Sequence, residues 1–220
     1  MELSSIKNKV PAKLYEILEK EIKELRPSQQ KSVKKGLLEG KNILVCTPTA
    51  SGKTLIAELA ALKTILEKNG KAVYIVPLKA LASEKYNQFR KRYGSLIKIA
   101  LSIGEVDSAD PYLAEYDLII LTSEKFDSLI RHHTPWLHSV MTVIVDEIHL
   151  LNDPERGPTL EILLTILKSV LKNAQIIGLS ATIGNAEELA AWLEAELVVD
   201  DWRPVKLHKG VYLNGKVEFF

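Results

Sequence analysis

A turn that could bind phosphate groups lies at residues 47–54, where the sequence is TPTASGKT. Successive backbone N–H groups at a strand-to-helix turn form a cradle for anions, and the dipole of the following helix strengthens it. Gly52 would let the backbone approach the phosphates, the Lys53 ammonium would reach the β- and γ-oxygens, and the Thr54 hydroxyl would ligate Mg²⁺. The alternative is a glycine-containing surface turn with an exposed lysine. The predicted nucleotide-binding residues of this turn are Thr49, Ala50, Ser51, Gly52, Lys53 and Thr54.

Two carboxylates directly follow another apolar run, Val143–Val145. A phosphate loop is expected to have an acid at the end of a neighbouring buried strand, where the acid holds Mg²⁺ through the hydration shell of the ion. We therefore predict that Asp146, with Thr54, holds the metal and that Glu147 polarises the attacking water as general base. Without a phosphate loop, two adjacent acids would be more typical of the solvated start of a helix. Lys53, Asp146 and Glu147 are the predicted catalytic residues.

The elements that would position these residues are short apolar runs that alternate with amphipathic stretches. Continuous apolar runs predict strands buried on both faces, which are typical of a parallel sheet covered by helices. The runs are Ile43–Cys46, Ala72–Val76, Ile97–Leu101, Leu118–Leu121, Val143–Val145 and Ile176–Leu179. Leucines spaced by three or four residues predict helices over 55–66, capped at Asn69-Gly70, and over 160–171. The expected fold class is α/β, with a mostly parallel sheet flanked by helices.

Two charged stretches have simple structural explanations. Residues 79–98 contain six basic side chains and one acid, which would suit a nucleic-acid surface. The helical spacing of Tyr86, Phe89 and Tyr93 instead favours packing of the aromatic face against the sheet. Residues 187–201 contain six acids and no basic residue, and we interpret them as the solvated face of a helix.

Composition and charge limit the class of protein. Of 220 residues, 46% are hydrophobic and 26% are charged, and the net charge of +1 excludes a polybasic or strongly acidic binder but leaves room for a locally basic groove. The single cysteine, Cys46, cannot form an intramolecular disulfide, so a reducing cytosol is expected and the thiol is predicted to be packed. No uncharged run reaches the length of a spanning helix, and the N-terminus has no apolar signal core. We expect a soluble cytoplasmic domain with no membrane partner.

Residues 1–41 differ from the rest of the chain. They have helical spacing of apolar residues and carry ten basic against six acidic side chains, which predicts an N-terminal helical appendage. Residues 42–213 contain the strand and helix pattern and are predicted to form the nucleotide-binding domain. Residues 214–220 are predicted to be the C-terminal tail of a fragment.

Spaced motifs in this sequence resemble those of superfamily-two helicases and follow the order found in that family. Residues 146–149, Asp-Glu-Ile-His, resemble motif II. The others are Leu25–Gln29 for the Q motif, Pro77–Leu81 for motif Ia, Thr122–Lys125 for motif Ib and Ser180–Thr182 for motif III. Further landmarks resemble the Ski-like branch, and within it most closely the archaeal Hjm-type DNA helicases. These landmarks are Arg156-Gly157, Thr159–Glu161, Gly178–Gly184, Trp192-Leu193 and Trp202–Val205.

The resemblance, which extends from about residue 10 to residue 213, implies roles for further residues. It implies a RecA-like first motor domain in which Gln29 recognises the adenine edge. Nucleic acid would contact Pro77, Lys79, Ser102, Gly104 and Thr122, which lie at predicted strand ends. Coupling of nucleotide state to movement would involve His149, Ser180 and Thr182. From the sequence pattern alone, His149 is equally well explained as a packed histidine.

The function that the resemblance implies is that of the N-terminal motor domain of an ATP-dependent 3′→5′ DNA helicase. Its cofactors would be ATP and Mg²⁺, its partners single-stranded or branched DNA and the second RecA-like domain of a longer chain, and its location the nucleoid. DNA repair and recombination would be its setting. One alternative is an RNA helicase of the same branch. Another is a non-catalytic, nucleotide-gated module that binds nucleic acid.

Overall fold

The apolar runs form the strands of one parallel sheet in the computed structural model, which describes residues 1–104, 109–206 and 208–219. The strands are β1 Ile43–Cys46, β2 Lys71–Val76, β3 Ile99–Ser102, β4 Leu118–Thr122, β5 Val140–Val145, β6 Gln175–Ser180 and β7 Glu196–Val199. Their order is β3-β4-β2-β5-β6-β1-β7, and every neighbouring pair is parallel. A separate antiparallel hairpin consists of β8 Gly210–Leu213 and β9 Lys216–Phe219. The six predicted strands and the predicted α/β fold class are confirmed.

Helices cover both faces of the sheet. They are α1 Ala12–Leu18, α2 Pro27–Lys34, α3 Lys53–Lys68, α4 Lys79–Tyr93, α5 Ser123–Arg131, α6 Gly157–Val170 and α7 Ala186–Trp192. Side chains alternate between the two faces along each strand. Ile43 and Val45 therefore belong to one buried cluster, with α1, α3 and α4, whereas Leu44 and Cys46 belong to a second cluster with α5, α6 and α7. Helix α3 is followed by Asn69, whose left-handed φ of 51° confirms the predicted cap.

The N-terminal residues share the core of the sheet. They contain the 3₁₀ helix Leu3–Lys9 and helices α1 and α2, so the predicted helical content of residues 1–41 is confirmed. Leu14 and Leu18 are fully buried, in the same hydrophobic cluster as α3. Burying these side chains stabilises the contact between the N-terminal segment and the sheet.

The interpretation of residues 187–201 as one helix face is wrong beyond Trp192. Helix α7 ends there, and residues 196–199 form β7, which pairs with β1 from Glu196 opposite Ile43. This strand lies at the edge of the sheet, where Val198 is fully buried and Glu196 is half-buried. The acidic composition disguised the strand because an edge strand tolerates charged side chains that an inner strand would exclude.

Helix α4 has the predicted aromatic packing. Phe89 and Tyr93 are fully buried, Tyr86 is half-buried, and the Phe89 ring lies 5.6 Å from the Tyr74 ring, edge to face. Such pairs stabilise a core beyond the area they bury. The interpretation of these aromatic residues as core residues is confirmed.

Candidate nucleotide and nucleic-acid sites

The predicted nucleotide residues follow three adjacent strands. Strands β5, β6 and β1 are neighbours, with Cys46 opposite Ser180 and Val145 opposite Gly178. Because parallel strands all end at the same edge of a sheet, the loops that follow them form one crevice there. The phosphate loop, the Asp146-Glu147 pair and the loop after Ser180 therefore lie side by side.

The phosphate loop requires glycine at position 52. Gly52 has a φ of +96°, and a Cβ at this position would lie 2.5 Å from the Gln29 Nε2, so only glycine fits without displacement. Two hydroxyls hold the base of the loop, because the Thr47 Oγ1 and the Ser51 Oγ are 2.7 Å apart and fully buried. Thr47 stands where the common phosphate-loop pattern has its first glycine. Its hydrogen bond with Ser51 connects two positions of the turn, a role that the sequence did not reveal.

The Lys53 ammonium lies inside the loop that it is predicted to serve. Its Nζ donates to the carbonyl oxygens of Thr47 and Ser180, both at 2.9 Å. Burial lowers the pKa of this ammonium, and the nearby Glu147 and Asp146 carboxylates oppose that shift. Lys53 thus joins the residue after β1 to the last residue of β6.

Gln29 connects the start of α2 to the phosphate loop. Its Oε1 accepts a hydrogen bond from the Arg26 backbone N–H at 2.8 Å, and its Nε2 donates to the Gly52 carbonyl at 2.9 Å. The Arg26 guanidinium donates to the Ala50 carbonyl at 2.8 Å and stacks 5.4 Å from the centroid of the Trp202 ring. The Gln29 amide retains one further donor and one further acceptor position. Its role with adenine stays a prediction.

Thr54 and Asp146 converge on a single cationic group, the ammonium of Lys85. The Lys85 Nζ is 3.1 Å from the Thr54 Oγ1 and 3.5 Å from the Asp146 Oδ2. The Tyr74 hydroxyl donates to the same carboxylate oxygen at 2.9 Å. Burial, and then the negative charge of Asp146, raise the pKa of Tyr74 well above its usual value. A hydroxyl and a carboxylate that face one cation form the oxygen set that Mg²⁺ prefers. The predicted metal residues therefore fit this ion.

No group of three or more His, Cys, Asp or Glu side chains placed for a metal ion occurs among the described residues. An ion held at Thr54 and Asp146 would accordingly take its remaining ligands from phosphate oxygens and water, as Mg²⁺ commonly does in nucleotide sites.

Neither Lys85 nor Tyr74 was predicted from the sequence to be part of this site. Each reaches it from an element distant along the chain, so no local pattern marks them.

Glu147 has a left-handed backbone, with φ 54° and ψ 41°. This conformation is uncommon outside glycine and carries local strain. Its backbone N–H donates to the Asp146 Oδ1 at 3.1 Å, and its Oε2 lies 3.3 Å from the His149 Nδ1. The same Nδ1 is 3.4 Å from the Ala181 backbone N–H. A neutral Nδ1 accepts from Ala181, whereas a protonated Nδ1 donates to Glu147, so the ring favours one contact at a time.

A family model described as DEAD/DEAH box helicase matches residues 26–189. The chain belongs to this family. It is 54% identical over 209 residues to the ATP-dependent DNA helicase Hel308 of Pyrococcus abyssi, covering 94% of this chain and 29% of the relative. It is 57% identical over 215 residues to Hel308 of Methanocaldococcus jannaschii, covering 94% of this chain and 18% of that relative. The chain thus spans less than a third of the length of these curated relatives.

A solved structure has a similar fold. The crystal structure of the DUF1998 helicase MrfA bound to DNA superposes with a TM-score of 0.76 at 25% identity, covering 88% of this chain and 30% of the other. No helix of this helicase-family chain, within the ranges that the structure describes, is long and apolar enough to cross a membrane.

In this helicase-family fold, the predicted nucleic-acid residues lie on the other half of the same sheet edge, after β2, β3 and β4. Lys79 and Gly104 are exposed and Pro77 is half-buried. Ser102 and Thr122 are buried, and their hydroxyls have partners within the protein. The Ser102 hydroxyl donates to the Asp110 carboxylate at 3.0 Å, and the Thr122 Oγ1 caps α5 by accepting from the Lys125 N–H at 3.5 Å. Of these predicted residues, the structure therefore leaves Lys79 and Gly104 open to solvent, and their contact with phosphates stays a prediction.

The predicted coupling residues lie beside the phosphate loop. Ser180 is fully buried at the end of β6, and its carbonyl accepts from the Lys53 ammonium and from the Thr47 N–H. Thr182 is exposed two residues further on. Because the Lys53 ammonium is bonded to the Ser180 carbonyl, a movement of the Lys53 side chain would change a contact of β6.

Cys46, at the end of the neighbouring strand, is a buried thiol whose pKa is raised by burial, so its interpretation as a packed residue is confirmed.

Proposed function

We propose that this chain is the first motor domain of an ATP-dependent 3′→5′ DNA helicase that binds Mg·ATP and single-stranded or branched DNA. The observation that carries the proposal is a single sheet edge. On one half of it lie the phosphate loop, the Asp146-Glu147 pair and the Ser180 loop, and the ends of β2, β3 and β4 continue the same edge. The relatives named ATP-dependent DNA helicase support DNA as the nucleic acid on which the protein acts. A nucleoid location and a role in DNA repair accord with that assignment.

The chain's own residues would perform distinct steps around the nucleotide. The Lys53 ammonium would leave the Thr47 and Ser180 carbonyls and donate to phosphate oxygens, which a lysine does in phosphate loops. Glu147 would accept a proton from the attacking water at its carboxylate. Mg²⁺, when bound at Thr54 and Asp146, would neutralise charge on the phosphates. The loop N–H groups would fix the orientation of the β-phosphate.

Coupling to the nucleic acid would pass through the loop after β6. Lys53 is bonded to the Ser180 carbonyl, and the next residue, Ala181, is bonded to His149. When Lys53 turns toward a phosphate, the Ser180 carbonyl loses a charged donor. His149 and the Ser180–Thr182 loop would then shift together. This shift would couple nucleotide binding to movement of the strand ends that face the DNA.

The partner that completes the nucleotide cleft would be a second RecA-like domain of the same full-length chain. An RNA helicase would use the same nucleotide site, and a non-catalytic binding module would lack turnover even with the second domain present. Unwinding of matched DNA and RNA duplexes by the chain joined to its second domain separates these functions. Unwinding of RNA alone would favour the RNA helicase, and nucleotide binding without turnover would favour the module.

Lys53→Ala is expected to weaken binding of Mg·ADP about 10- to 100-fold, because it removes a charge-assisted hydrogen bond to the phosphates. Titration with a fluorescent ADP analogue measures the affinity. Lys68→Ala is the matched control, since Lys68 is exposed at the far end of the same helix. Equal affinity of Lys53→Ala and the unmodified chain would exclude this loop as the nucleotide site.

Gln29→Ala is expected to narrow the difference in affinity between ATP and GTP. One amide presents a donor and an acceptor together, which match adenine and mismatch guanine. Both nucleotides should also bind somewhat more weakly, because Gln29 holds the Gly52 carbonyl. Competition of ATP and GTP against the fluorescent analogue gives the ratio, with the exposed Lys34→Ala as control. A chain that shows no preference for ATP would contradict the adenine role.

A further inference from the structure

A cationic side chain occupies the position assigned above to Mg²⁺. The Lys85 Nζ is 3.1 Å from the Thr54 Oγ1 and 3.5 Å from the Asp146 Oδ2, and these two side chains are the ones that fit the ion. Only 14% of the Lys85 side chain and 12% of the Asp146 side chain are exposed. Shielding from water strengthens the attraction between such charges relative to a surface pair.

Several contacts hold Lys85 in this position. Its ammonium also lies 5.8 Å from the centroid of the Tyr74 ring, on β2, and the hydroxyl of that ring donates to the Asp146 carboxylate that faces Lys85. An ammonium near an aromatic face is attracted by the ring quadrupole. Lys85, Tyr74 and Asp146 therefore form one cluster, built from α4, β2 and the residue after β5.

We propose that Lys85 is the resident cation of the nucleotide-free site and that it competes with Mg²⁺ for Thr54 and Asp146. This inference rests on the proposed ATP-binding function. An ammonium and a hydrated divalent ion cannot both occupy the space between Thr54 and Asp146, because two positive charges this close repel each other strongly in a largely buried site. Mg·nucleotide must therefore displace Lys85. Lys85 is a positioning residue, since it acts through the charge of Asp146.

The competition predicts that removing the Lys85 ammonium has opposite effects on ADP binding in the presence and in the absence of Mg²⁺. Without Lys85, Mg²⁺ has no cation to displace, so the Mg²⁺ concentration that gives half-maximal ADP binding should fall about tenfold, the value of one charge-assisted hydrogen bond. Without Mg²⁺, the phosphates of ADP would meet an Asp146 carboxylate that has lost its cation. Binding in EDTA should therefore weaken by a factor of about ten. Simple damage to the fold would weaken both.

The experiment compares Lys85→Met with Lys91→Met, because Lys91 is exposed on the same helix. A fluorescent ADP analogue is titrated in EDTA and at increasing Mg²⁺ concentrations. Lys91→Met should match the unmodified chain in both conditions. An unchanged Mg²⁺ midpoint in Lys85→Met would overturn the competition, and so would weaker binding both in EDTA and with Mg²⁺.

A second measurement needs no nucleotide and separates this inference from the proposed function. Urea unfolding in EDTA is compared for Lys85→Met, Asp146→Asn and the double variant. If the two side chains are partners, Lys85→Met should lower the unfolding midpoint clearly in the unmodified background and little in the Asp146→Asn background. Equal effects in both backgrounds would refute the pairing. Failure of the unmodified chain to bind ADP at any Mg²⁺ concentration would contradict the motor function instead.

Discussion

The 220 residues alone are expected to hydrolyse ATP about 10³- to 10⁵-fold more slowly than the same residues joined to a second motor domain. Hydrolysis requires positive charge around the equatorial oxygens of the γ-phosphoryl group in the transition state. In the proposed mechanism, this domain would offer Lys53, the loop N–H groups and the metal, all on one sheet edge. Arginines of a second domain would face them, and their absence costs about 4–7 kcal/mol of transition-state stabilisation.

Phosphate release at steady state, with and without single-stranded DNA, measures this effect. The same 220 residues should bind single-stranded DNA weakly and with strong dependence on salt, because the proposed contacts would be to the phosphate backbone. A titration at two salt concentrations is the control that DNA reaches the protein. Strong stimulation of hydrolysis by DNA in the 220 residues, abolished by Glu147→Gln, would contradict the need for a second domain.

The inner strands of the sheet could be predicted from the sequence because their burial leaves only apolar residues. Runs such as Ile43–Cys46 are buried throughout, and no polar position interrupts them. The edge strand β3 was still recognised because its run of residues is apolar, whereas β7 was missed because acidic residues flank its short apolar stretch, as an edge strand tolerates. Local composition therefore identifies a strand reliably only in the enclosed part of the sheet.

The phosphate loop and Asp146-Glu147 could be located from the sequence because each is a short segment directly after a buried strand. The cluster around the Asp146 carboxylate could not. Tyr74 and Lys85 reach it only because β2 lies beside β5 in the sheet, an order that the sequence pattern does not specify. Tyr74 is 72 residues from Asp146 along the chain. Contacts between elements distant in sequence depend on strand order, which local patterns do not encode.

The predicted nucleic-acid residues show a different limit of the sequence. Small polar residues at strand ends were predicted to contact phosphates, yet Ser102 and Thr122 are buried and bonded within the protein, whereas Lys79 is exposed. A hydroxyl at a strand end serves equally well as a helix cap or as a phosphate contact. The sequence therefore locates the loops, and only the structure distinguishes which side chains face outward.

Glu147→Gln is expected to lower ATP turnover about 10²- to 10⁴-fold in the chain joined to its second domain, the usual contribution of a general base. The amide has nearly the shape of the carboxylate but cannot accept the proton of the attacking water. The left-handed backbone of Glu147 is held by the bond from its N–H to the Asp146 Oδ1, which the substitution leaves in place. The loss should therefore be confined to the chemical step, measured as phosphate release in a single turnover.

Binding distinguishes this effect from disruption of the site. The affinity for Mg·ADP should remain within about threefold of the unmodified protein, since Glu147 is not assigned to the phosphates or the metal. Glu155→Gln is a matched control on the same segment, because Glu155 is exposed. Glu147→Gln also replaces the carboxylate that lies 3.3 Å from the His149 Nδ1, whereas the bond from the Ala181 N–H to that nitrogen is left in place. Turnover that survives Glu147→Gln unchanged would assign the general base to another residue and leave Glu147 as a partner of His149.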